Sequence, residues 1–132
     1  NFRDQKKGII IVSLAGPFAN FLLAFVCAVV CKILVRFTAA SEIAVFFYQV
    51  FLYAEVMNVG LMVFNLIPIP PLDGSKVLME FLPPRARYEM YRIERYSGIV
   101  LLILVWTRVL TPILGTLSGW VFALLSLMTS FI

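Results

Sequence analysis

The sequence has 132 residues, 62% of them hydrophobic and 14% charged, with a formal net charge of +4 and no histidine. Several apolar runs reach the roughly 20 residues that an α-helix needs to cross about 30 Å of hydrocarbon, which excludes an ordinary soluble domain. The basic residues cluster at the ends of apolar runs, as membrane orientation requires, so no nucleic acid is expected as a partner.

Residues 8–31 form the first predicted span, apolar nearly all round. It is too long for a cleaved signal peptide, other spans follow it, and no small-residue cleavage pattern succeeds it. Because Asn1 stands where a start methionine would, the chain reads as part of a longer protein. Gly16 and Asn20 lie one turn apart and read as a small-residue face that lets another helix approach closely. Cys27 and Cys31 are expected to pack as small apolar groups, since one helical turn does not give disulfide geometry and two thiols do not complete a metal site.

The second span covers residues 43–64. Glu55, Asn58, Met62 and Asn65 recur at helical spacing along one of its faces, and three of the four are polar. A carboxylate near a span's centre costs about 2.5–3.5 kcal/mol on insertion scales, so Glu55 is expected to face the bundle interior, a partner or water. An interhelical hydrogen bond would account for Glu55 and Asn58 without any functional role. Pro68, Pro70 and Pro71 then end the helix by removing amide donors and pushing each preceding residue towards extended geometry. The stretch 67–72 is therefore predicted to be an extended, re-entrant segment that returns Asp73 to the bundle. Gly74 permits a tight turn into a short helix over about 75–82, which Asp73 would cap.

Residues 74–95 alternate basic and acidic side chains around Pro83-Pro84 and are predicted to lie along the interface as a polar connector. Two further spans are predicted at 96–114 and 117–132, with Arg108, Pro112 and Gly115 as interruptions whose alternative outcome is a bent hairpin that does not cross fully. The expected fold is thus an all-α integral membrane protein, a single membrane domain over 1–132 with about four transmembrane or membrane-embedded helices. On this topology eight basic residues (Arg3, Lys6, Lys7, Lys76, Arg85, Arg87, Arg92, Arg95) share one side, against three (Lys32, Arg36, Arg108) on the other. That asymmetry places the connector in the cytoplasm of a multi-pass membrane protein.

The string from Asn65 through Pro68 to Asp73-Gly74 resembles the Asn-Pro-Asp-Gly motif of the site-2 proteases, the intramembrane zinc metalloproteases, in their compact bacterial branch. The likeness extends upstream through NVGLMVFNLIP and downstream through GSKVL and RIERYSG. Ala15-Gly16-Pro17-Phe18-Ala19-Asn20 resembles the family's Gly-x-x-x-Asn motif. The resemblance implies that Asp73 is a zinc ligand and that Asn65 is the catalytic asparagine contacting the substrate carbonyl or the developing oxyanion. It also implies that Pro68, Ile69 and Pro70 bind an unwound substrate strand by edge addition, with Gly16, Asn20 and Gly74 as structural positions. A transmembrane protein substrate, membrane lipid and a bacterial plasma membrane complete the picture.

The chain departs from the family in having no His-Glu-x-x-His helix, whose histidines at i and i+4 would bind the same ion. Two zinc ligands and the general base are therefore expected from a segment outside this sequence, in cis or in trans. By itself the chain is expected to be inactive. The competing reading is a noncatalytic membrane subunit or transporter segment in which Glu55, Asn58 and Asn65 line a polar path and Asp73 caps a helix.

Overall fold

A computed structural model describes residues 2–68 and 72–132. Its described residues are mostly helical and include no strand: α1 (Phe2–Phe37), α2 (Glu42–Leu66), α3 (Asp73–Phe81), α4 (Pro84–Glu94), α5 (Ser97–Trp106) and α6 (Thr111–Met128). Three of these, α1, α2 and α6, are long and apolar enough to cross a membrane, as an all-α membrane protein requires. At 36 residues α1 rises about 54 Å, so its charged first turns continue well past a hydrocarbon core of about 30 Å.

The helix ends follow local chemistry. The Ser41 hydroxyl accepts from the Ala44 amide at 3.1 Å and starts α2. α2 stops at Leu66 because Pro68 forces Ile67 out of helical geometry, to φ −63° and ψ 131°. Pro84 opens α4 at its first turn, where a missing amide costs nothing. Between α5 and α6, Arg108 takes the left-handed conformation at φ 59°, and Pro112 stands at the start of α6.

α1 and α2 form an antiparallel hairpin whose far end is joined by the Cys31 thiol on the Tyr48 carbonyl, 3.8 Å apart. Ala24, Val59, Met62, Val63 and Leu125 make the central core, so α6 lies against both. Arg36 Nη1 donates to the Ile132 carbonyl at 2.6 Å, which puts the end of α6 beside the end of α1. At the other end Leu110, Ile67 and Leu72 form a second cluster, with Leu101 and Leu104 of α5 against it. α3 runs antiparallel along the first half of α1. Asp73 lies opposite Gly16, and the Lys6 ammonium sits 5.0 Å from the centre of the Phe81 ring.

Two expectations about the second half change. The spans expected at 96–114 and 117–132 are instead α5 and α6, parted at residues 107–110, where Arg108, one of the three predicted interruptions, takes a positive φ. α5 is therefore only 10 residues, about 15 Å, half the depth of a hydrocarbon core. Arg108 consequently lies at the Asp73 end with the Leu110 cluster, not opposite, and the division of basic residues becomes nine against two. The connector 74–95 is also more regular than its composition suggests, being mostly α3 and α4. Arg87 fixes the join by donating to the Met79 carbonyl at 3.0 Å and the Leu82 carbonyl at 3.4 Å.

Candidate functional site

Asp73 occupies the first turn of α3, not its cap: Leu72 holds the cap position in extended geometry and no side chain caps the helix. Instead, the Ser75 hydroxyl donates to the Leu72 carbonyl at 2.7 Å and closes the turn. Freed from capping, the Asp73 carboxylate points across to α1, where a Cβ on Gly16 would lie 3.5 Å from its Oδ2. Its other oxygen is 3.7 Å from the Lys76 ammonium one turn on, and the side chain is 33% exposed. The helix N-terminus favours a negative charge here, and the exposed third leaves the carboxylate open to an external partner.

Gly74 makes this placement possible. A Cβ at that position would overlap the Leu66 carbonyl oxygen, lie 2.5 Å from the Leu66 carbonyl carbon and 2.7 Å from the Ile67 oxygen. These are backbone atoms of the end of α2, which no rotamer change can move. Only glycine lets α3 begin against that end, and Gly74 and Ser75 are accordingly buried.

Asn65 sits half-buried in the last turn of α2, and no hydrogen bond to a described residue engages its amide. It is one residue from the Leu66 carbonyl that Gly74 touches, so the asparagine and the aspartate belong to the same end of the bundle. Asn20 is half-buried on α1, one turn further in from Gly16. Pro68 is exposed at the start of the proline segment, whereas Ile69 and Pro70 lie outside the described residues.

Glu55 is buried, but Asn58 Nδ2 donates to the Ala54 carbonyl of its own helix at 2.8 Å and so does not bridge to a neighbour. The signal for Gly74's role was present in the Asp-Gly pair. Gly16, expected as a point of close helix approach, lies on α1 opposite the Asp73 carboxylate of α3.

The described helices make an all-α membrane-type bundle in which Asp73, of the Asn-Pro-Asp-Gly string, lies opposite a glycine of the first helix. The family model for peptidase family M50 matches residues 30–107, more than half of the chain, and the chain belongs to that family, the site-2 proteases. It is 32% identical over 112 residues to a Bacillus subtilis protein named "Putative zinc metalloprotease YwhC", covering 80% of this chain and 49% of that one. Rip2 of Mycolicibacterium smegmatis, described in the same words, is 30% identical over 114 residues, with 85% of this chain and 41% of Rip2 covered. A Methanocaldococcus jannaschii protein of the same description, MJ0611, is 39% identical over 67 residues, 51% of this chain and 31% of MJ0611. The chain thus spans about half the length of the first relatives or less, and no solved structure gives a significant match.

The family implies zinc, and the donor set here fits that ion only in part. Asp73 offers one partly exposed carboxylate, the sequence has no imidazole, and among the described residues no three potential ligands come together. Zinc in a catalytic site takes three protein ligands, so these residues alone do not make the centre.

Proposed function

We propose that this chain is the part of an intramembrane zinc metalloprotease that supplies the ligand aspartate and the substrate-contacting asparagine. One observation carries the reading: Asp73 is held, uncapped and partly exposed, between the end of α2 and Gly16 of α1. That is more precise placement than a loop carboxylate needs. Asp73 would give one carboxylate oxygen to the metal, whose other ligands and accompanying general base lie in a segment outside this sequence, in cis or in trans. Zinc, when bound, supplies the Lewis acidity that peptide-bond hydrolysis requires.

Asn65 would donate its side-chain N–H groups to a substrate carbonyl, a task open to an amide with no hydrogen-bond partner among the described residues. The proline segment beginning at Pro68, with Ile69 and Pro70, would offer extended backbone to an unwound stretch of a transmembrane protein substrate. The basic excess at the Asp73 end would hold that end, including 74–95, in the cytoplasm of a bacterial plasma membrane. The competing noncatalytic reading gains no interhelical bond from Asn58, whose Nδ2 donates within its own helix.

Asp73→Ala in the full-length protein tests the proposal. Cleavage of a membrane substrate is expected to cease and zinc content to fall, while membrane insertion is retained. Full cleavage with full zinc would refute the assignment.

A further inference from the structure

At the end of the bundle opposite Asp73, a cavity of about 660 Å³ opens between α1, α2 and α6, within the roughly 300–1,000 Å³ of small-ligand sites. Glu55 lines it from near the middle of α2. Its residue is 8% exposed, and no hydrogen bond to a described residue engages its carboxylate. Since no fully enclosed side-chain polar atom among the described residues lacks a partner, the carboxylate oxygens retain access to the cavity. Tyr48, Phe122 and Ser126 line the same space. Lys32 and Arg36, one turn apart on α1, line it nearer the end of the bundle. Arg36 donates through one nitrogen to the Ile132 carbonyl, leaving other guanidinium donors over.

This arrangement is bipolar. A buried carboxylate in a cavity that two aromatic residues also line is the chemistry that recognises an organic ammonium. A Lys–Arg pair nearer the membrane surface is the chemistry that recognises a phosphate. Neither a simple cation nor a simple anion satisfies both. We propose that the cavity binds a phosphodiester carrying a primary ammonium, the headgroup of an aminophospholipid, with its phosphate on Lys32 and Arg36 and its ammonium turned inward to Glu55. The setting argues for the lipid, because Ala28, Val35, Leu52 and Ile132 give the same cavity apolar lining. The proposal is independent of the protease reading, since it uses no residue of the Asp73 site.

The test is native mass spectrometry of the full-length protein, exchanged into micelles holding equal amounts of phosphatidylethanolamine and phosphatidylglycerol. Retention of phosphatidylethanolamine is expected to exceed that of phosphatidylglycerol by about tenfold, the worth of one charge-assisted contact. Glu55→Gln, nearly isosteric, should remove that preference while leaving some retention of both lipids. Lys32→Gln should weaken both lipids alike, so the two variants fail in different ways and misfolding would not mimic the pair. Soluble glycerophosphoethanolamine, added as competitor, separates the sources: displacement only at large excess assigns the site to the lipid, and displacement at equal amounts assigns it to the free zwitterion. Equal retention of the two lipids, a preference unchanged by Glu55→Gln, or no retention because another segment of the longer protein fills the cavity would overturn the proposal.

Discussion

Asp73 and Glu55 are both carboxylates in a lipid-adapted chain, and the bundle treats them in opposite ways. Asp73 lies beyond the end of α2, fixed by backbone: the carbonyls of Leu66 and Ile67 against Gly74, and α1 against its Oδ2 at Gly16. Glu55 lies within α2, at the side of a cavity, with no hydrogen bond to a described residue. The first is a placed group, whose position other atoms determine tightly. The second is a group with room around it, suited to a partner that comes and goes. Precision at one end and space at the other show that polarity alone in a membrane helix does not define a role.

The most damaging change should be to the glycine that does the placing. Gly74→Ala forces a Cβ into backbone atoms and is expected to cost about 3 kcal/mol or more, above the usual 1–3 kcal/mol of overpacking, because backbone cannot give way. Thermal unfolding of the full-length protein in detergent checks this, with proteolytic nicking between α2 and α3 as a second readout. A melting temperature within a degree or two of the parent would mean that α3 does not begin against α2.

Asn65→Ala should keep the fold and zinc content but lower kcat by about 100-fold, the loss typical of one oxyanion donor. Turnover and metal content measured on the same preparation separate this from Asp73→Ala, which should lose both. At Gly16 the prediction depends on size. Gly16→Ala meets Asp73 only at ordinary contact distance and should be mild, whereas Gly16→Leu should displace the carboxylate and lower zinc content several-fold. Equal zinc content in the two variants would show that α1 does not position Asp73.

The smallest effect is expected at Lys76→Ala. Its ion pair with Asp73 spans 3.7 Å between side chains 55% and 33% exposed, so less than about 1 kcal/mol of stability should be lost. A larger loss would mean that electrostatics, not backbone contact, holds Asp73.

Much of this was readable from the residues, for identifiable reasons. Pro68 ends α2 wherever the chain is placed, because a proline restricts its predecessor locally. The Asn65 to Gly74 string marked the site end because polar residues and prolines in a lipid-adapted chain need a compensating environment. The third and fourth spans were not readable in the same way. Arg108, Pro112 and Gly115 were all legible as interruptions, but nothing in their types says which of them parts the helices or that Arg108 takes a left-handed conformation. Asp73 also carried two local meanings, cap and ligand, and propensity favoured the cap.

Composition and the spacing of apolar runs thus determined by themselves that the chain is an all-α membrane protein, and the Asn-Pro-Asp-Gly string determined its family, since both are properties of neighbouring residues. Only the tertiary structure decided that Asp73 is uncapped and faces Gly16, that α5 is too short to cross, and that Glu55 borders a cavity with Lys32 and Arg36. Each of those depends on how distant helices approach one another, and hydrophobicity that is nearly uniform around α2 leaves their relative rotation to packing.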